Sequence, residues 1–147
     1  MRIDRFEDIE GWKQARNLAR MAYTATKKGP FSHDFGLKDQ TQRACVSIML
    51  NVAEGFDSGS NAEFVKFLRY AQRSCTEVQS ALYVALDQAY VSETEFSILY
   101  KQAQATRAIL GGFIKYLLGT EHQKPALSTK APATKNQERR TKNDFPA

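Results

Sequence analysis

Residues 43–55 read RACVSIMLNVAEG, an apolar run that keeps Arg43, Ser47, Asn51 and Glu54 and closes on Gly55. The run is apolar enough for a buried strand or a signal-like segment, so the placement of its polar residues decides the fold. At 100° per residue, Gln40, Arg43, Ser47, Asn51 and Glu54 fall within about 80° of a helical circumference. The remaining arc is filled by Ala44, Cys45, Val46, Ile48, Met49, Leu50, Val52, Ala53 and Phe56. The stretch therefore reads as a helix from about Gly36 to Glu54, with Asp34 its cap and Gly55 its terminator.

A surface helix of a monomeric bundle exposes a wide polar face, whereas this one exposes a narrow seam. No helix is central in a four-helix bundle, so Val46, Leu50 and Ala53 are expected to bury themselves against another subunit. Glu54 in a last turn opposes the helix macrodipole, at a cost of about 0.3–1 kcal/mol. Its expected compensation is either the free N–H groups around Ser60 to Glu63 or a basic side chain. Arg43 of the same helix lies about 16 Å away along the axis and cannot reach, whereas Arg43 of a neighbouring subunit could. Asn51 and Glu54 are read as fixers of a turn and an interface rather than as catalytic groups.

Outward from this segment the chain keeps a helical period, and no strand-like alternation interrupts it. A first helix is expected from about Asp8 to Lys27, with Ile9, Trp12, Ala15, Leu18, Ala19, Ala22 and Tyr23 on one side. Gly29-Pro30 ends it. A third begins at Ser60, where Ser60-Asn61-Ala62-Glu63 has capping-box spacing. Its apolar stripe runs from Phe64 through Leu68, Ala71, Cys75, Val78, Leu82 and Ala85 to Ala89. A fourth opens on a second such box, Ser92 to Glu95, and carries Phe96, Leu99, Tyr100, Ala103, Leu110, Phe113, Ile114 and Leu117. The links are short, so successive helices should run antiparallel, up-down-up-down. The expected organisation is an all-α four-helix bundle over 1–118 and a disordered basic tail over 119–147. Gly111-Gly112 costs about 1 kcal/mol per glycine inside the fourth helix, to be offset by close approach of another backbone or expressed as a kink.

The chain has 147 residues and a net charge of +5, and its excess is concentrated near the end. Residues 1–118 carry 15 Lys and Arg against 13 Asp and Glu, and residues 119–147 carry 6 against 3. No apolar run approaches the ~20 residues that span a bilayer. MRIDRFEDIEGW puts acids where a signal peptide needs an apolar core, so a soluble, cytoplasmic protein is expected. Cys45 and Cys75 sit among apolar neighbours and read as small core residues, with a disulfide as the alternative. No Gly-rich phosphate loop, His-x-x-x-His or paired Glu-x-x-His motif occurs, and His33 and His122 are far apart. No enzyme and no cofactor or metal are expected. Glu93 and Glu95 are first-turn acids.

The second-helix residues Gly36-Leu37, Arg43-Ala44, Ser47-Ile48 and Asn51-Val52-Ala53-Glu54-Gly55, followed by Phe64, Phe67-Leu68, Ala71, Ser74 and Glu77, resemble the 23S rRNA intervening-sequence protein family. Trp12, Ala15 and Leu18 fit that family's first helix, and the likeness covers about residues 6–118. Met49 stands where the family often has proline, and Arg73 where it often has glycine. The resemblance implies a homopentamer of four-helix bundles. Through the related accessory variability determinants of diversity-generating retroelements, it implies binding of nucleic acid and of a reverse transcriptase. Relatives encoded inside rRNA inserts leave a scaffold role as the alternative.

Two basic stripes bear on that choice. Lys13, Arg16 and Arg20 lie at i, i+3 and i+7, and Lys66, Arg69 and Arg73 repeat the spacing. Each stripe alone reads as a solvated face; two of them, a basic tail and the resemblance together point to RNA or DNA held through phosphates. In the tail Lys135, Arg139, Arg140 and Lys142 either add contacts or merely solubilise.

Overall fold

Four long helices dominate the computed structural model, which describes residues 2–120. They are α1 (Glu10–Thr26), α2 (Phe35–Asp57), α3 (Asn61–Asp87) and α4 (Glu93–Gly119), with short 3-10 turns at Phe6–Asp8 and Gly29–His33. No β-strand occurs among the described residues. The expected tail from residue 121 onward, with Lys135, Arg139, Arg140 and Lys142, lies outside the described residues.

The helix ends follow local chemistry. Asp34 caps α2 by accepting from the Leu37 N–H at 3.1 Å. Ser92 and Glu95 form the full reciprocal capping box of α4. At α3 only half of the expected box exists: Ser60 accepts from the Glu63 N–H, while the Glu63 carboxylate lies 4.0 Å from Lys66 instead. Gly29, at φ +49°, takes the chain out of α1 in a conformation that glycine adopts without strain.

Two sequence expectations are corrected here. Gly55 does not end α2, which continues to Asp57; Gly59, at φ +86°, makes the stop. Gly55 is instead buried where α2 crosses α3, and a Cβ there would lie 2.9 Å from Phe67 Cβ and 3.3 Å from the Phe64 carbonyl oxygen. Its missing side chain sets how closely the helices approach. Ala89 does not extend the apolar stripe of α3. It is exposed at φ 59° just past the helix, where Tyr90 N–H donates to Ala85 O and Ala89 N–H to Leu86 O. That pair of bonds is a Schellman stop, normally made with glycine.

Each helix packs against two neighbours: α2 against α1 and α3, and α4 against α3 and α1. Contacts run in opposite order along the pairs. Gly55 meets Phe67 while Ser47 reaches Ser74; Asn61 reaches Thr120 while Gln72 reaches Arg107. Gly11 meets Leu110 near the start of α1, and Ala25 shares a groove with Ile98 near its end. This is the antiparallel order that short links favour. The core is filled by Leu18, Ile48, Phe64, Leu68, Leu82, Leu110 and Leu117, all fully buried. Each such side chain contributes about 1.5–3 kcal/mol of apolar burial.

The two glycines of α4 have different settings, and the helix runs unbroken through both. Gly111 leaves room for the Gln72 amide, which would lie 3.1 Å from an added Cβ and donates to the Arg107 carbonyl at 3.2 Å. Gly112 faces open space, with nothing within 4 Å of the Cβ position.

Candidate nucleic-acid interface

The two basic stripes lie on helices that do not pack against each other to any comparable extent, since α1 and α3 occupy opposite corners of the ring. The bundle therefore does not merge them into one surface. Lys13, Arg16 and Arg20 are exposed on α1, and Lys27 falls in the same sector at its end. The stripe from Lys13 to Lys27 extends about 21 Å along the axis. Among the described residues none of these four cations has an acidic partner within ion-pair distance.

The α3 stripe is more compromised. Lys66 pairs with Glu63, Glu77 is exposed one turn beyond Arg73, and the Arg73 guanidinium lies 5.6 Å from the Tyr70 ring centroid. Arg69 is exposed between them. The Arg73–Tyr70 approach has its counterpart on α1, where Arg16 lies 5.8 Å from the Trp12 ring centroid. What separates the two faces is therefore the Lys66–Glu63 pair, with no ion pair on the α1 stripe among the described residues.

A groove of about 430 Å³ opens beside the α1 stripe, lined by Arg5, Glu7, Trp12, Lys13, Arg16, Asn17 and Arg20. The turn at Phe6–Asp8 forms its far wall, where Arg5 is tied to Glu7 at 2.8 Å. Trp12 is half-buried in the groove. Phe6 meets its ring edge-on at 5.2 Å between centroids, and the Arg16 guanidinium lies 5.8 Å from its centroid.

The seam on α2 is organised by hydrogen bonds within the chain. Asn51 Nδ2 donates to the Ser47 carbonyl at 2.8 Å and lies 3.0 Å from Ser47 Oγ. Ser74 Oγ, in turn, donates to Ser47 Oγ at 2.9 Å. This chain fastens α2 to α3 and gives the buried Ser74 hydroxyl its partner. Arg43 pairs with Asp39 one turn earlier at 2.9 Å, and both side chains remain largely exposed. Glu54 is exposed and has no ion-pair partner among the described residues. Among the described residues no hydrogen bond joins Glu54 to the α3 N-terminus, where Ser60 accepts from the Glu63 N–H.

Val46 and Ala53 are half-buried, and Leu50 is 58 % exposed, opposite the α2 face that enters the core. Val46 and Leu50, together with Tyr23, Gln42, Ser47, Asn51 and Glu54, border a second groove, of about 490 Å³. Sequence reasoning overlooked Ser74 as the partner of Ser47. Its signal was a serine standing in the otherwise apolar stripe between Ala71 and Val78. The extension of the α1 stripe to Lys27 and the groove around Trp12 were also missed.

Cys45 and Cys75 are buried, free thiols. Burial pushes each thiol up to about 12, Cys75 reinforcing the effect at Cys45 and Arg107 opposing it at Cys75. Thiols so protonated are core groups rather than nucleophiles. Among the described residues, no group of three or more His, Cys, Asp and Glu side chains is placed to hold a metal ion. None of the helices is long and apolar enough to cross a membrane.

The sequence model of one family, described as 23S rRNA-intervening sequence protein, matches residues 7–112. No curated protein matches the chain.

Proposed function

The chain belongs to the 23S rRNA-intervening sequence protein family, and from that footing we propose that it is a non-enzymatic, homo-oligomeric protein that binds nucleic acid through α1. The observation that carries this reading is the exposed run of Lys13, Arg16, Arg20 and Lys27, without an acidic partner among the described residues. Such a stripe neutralises phosphates and releases their counterions, which gives affinity without sequence preference. Repetition in an assembly multiplies the field of a mildly basic monomer. A five-fold assembly, and a reverse transcriptase as protein partner, are what the family resemblance adds. Exposed Leu50, beside half-buried Val46 and Ala53, supplies the apolar face on which copies would meet.

The test is a salt titration of RNA and DNA binding, followed by charge reversal. Lys13→Glu, Arg16→Glu and Arg20→Glu together should abolish binding at low salt. Lys66→Glu, Arg69→Glu and Arg73→Glu should weaken it less, because that stripe is already partly compensated. Absence of binding to RNA or DNA even at low ionic strength would overturn the reading and favour a scaffold role. Light scattering that finds a monomer would remove the assembly from it.

A further inference from the structure

The geometry points to a single-stranded nucleic-acid site in the α1 groove, with a base stacked at Trp12 and its flanking phosphates met by Lys13, Arg16 and Arg20. This rests on the nucleic-acid reading above and narrows it to one face and one strand state. A convex stripe of cations serves any polyanion. Here the stripe is walled on one side by Arg5 and the Phe6–Asp8 turn, making a concavity of about 430 Å³. Four cations and one carboxylate line it, and the carboxylate is already paired with Arg5.

The concavity also contains an aromatic ring, which phosphate binding alone does not require. Trp12 is only partly buried, one side packed on the core and the rest among charged neighbours, with Phe6 bracing it edge-on. The planar Arg16 guanidinium already lies near its ring. A base can insert there or stack on the guanidinium, and both arrangements are sequence-tolerant because every base has a π face. Bases in a duplex are paired and stacked inside it, so only an unpaired strand can present one to Trp12.

Trp12 is the chain's single tryptophan, and its fluorescence therefore reports on this groove alone. The experiment titrates the full chain at low salt with three labelled ligands of equal length: a single-stranded oligonucleotide, the corresponding duplex, and an oligonucleotide of abasic sites. Anisotropy reads binding while tryptophan emission reads stacking. The single strand should quench Trp12 saturably, in step with anisotropy, and the duplex and abasic strand should bind without quenching. Trp12→Ala should weaken single-strand binding roughly 5- to 150-fold and leave abasic binding unchanged. Single-strand binding without quenching would overturn the stacking site while leaving the α1 phosphate reading in place, as would equal quenching by the abasic strand. Equal affinity and quenching by the duplex would overturn the strand state. If none of the three ligands binds, both readings fall together. The quenching arm uses the unaltered chain, so it decides the matter even if Trp12→Ala misfolds.

Discussion

Replacing Gly55 with alanine would place a methyl group 2.9 Å from Phe67 Cβ and 3.3 Å from the Phe64 carbonyl oxygen. Neither neighbour is the free end of a side chain, so neither can swing away. Helices α2 and α3 must instead part by several tenths of an ångström, disturbing Val52, Phe56 and Phe64 beside the crossing. Overpacking of this kind costs about 1–3 kcal/mol, and alanine returns about 1 kcal/mol of helix propensity. The expected net loss is therefore up to about 2 kcal/mol. Gly112→Ala is the natural counterpart, because nothing lies within 4 Å of its Cβ position. Only the propensity term acts there, and stability should rise by about 1 kcal/mol. The two variants should thus move the urea midpoint in opposite directions with unchanged m-values, measured by circular dichroism at one fixed protein concentration. Gly55→Ala gaining stability as Gly112→Ala does would refute the close approach. A destabilised Gly112→Ala would show that its outward face is covered in the assembly.

Other expectations concern single groups. Unfolded thiols ionise near 9.0, whereas buried Cys45 and Cys75 stay protonated up to about 12. Their contribution to stability is thus complete below pH 9 and lost as pH climbs toward 12, by about 1.4 kcal/mol per pH unit for each thiol. Urea midpoints between neutral and alkaline pH should show this slope, and the Cys45→Ala, Cys75→Ala double variant should flatten it. Ala89→Gly relieves a left-handed residue at the Schellman stop and should add about 0.5–1 kcal/mol; an unchanged thermal midpoint would contradict the stop. Asp34→Ala removes both the α2 cap and the acceptor of the Tyr90 hydroxyl, for a loss of about 2–3 kcal/mol. The bond to Asp34 is the main cause holding the Tyr90 phenol above its ordinary pKa, with burial adding to it. Ultraviolet titration of the same variant should therefore show that phenol ionising at lower pH.

What was legible in the sequence follows from the range of the signal. Helix starts are written within four residues, so Asp34, Ser60 and Ser92 could be read directly as caps. Gly29-Pro30 was equally plain as a stop. Gly55 misled because a glycine after a helical run has two physical uses, ending the helix or admitting a neighbour. Only the position of Phe64 and Phe67 on another helix distinguishes them. Ala89 misled for the converse reason, occupying a conformation for which glycine is the usual sign. The cationic spacing on α1 and α3 was visible, but the inequality of the two stripes was not. That inequality depends on where Glu63 places its side chain, and the separation of the stripes on which helices sit at opposite corners. The seam of α2 was found as a set of residues, yet its partner Ser74 arrives from 27 residues away.

The double use of Asp34 has a consequence for how the bundle opens. Its Oδ1 accepts from the Leu37 N–H and its Oδ2 from the Tyr90 hydroxyl, whose ring stacks on buried Phe31 at 5.3 Å. The link between α1 and α2 is thereby fastened to the link between α3 and α4 by one carboxylate and one ring stack. Neither link can fray alone without stranding a charged acceptor or baring Phe31. In amide exchange the first turn of α2 and the turn at Tyr90 should consequently open as a single cooperative unit.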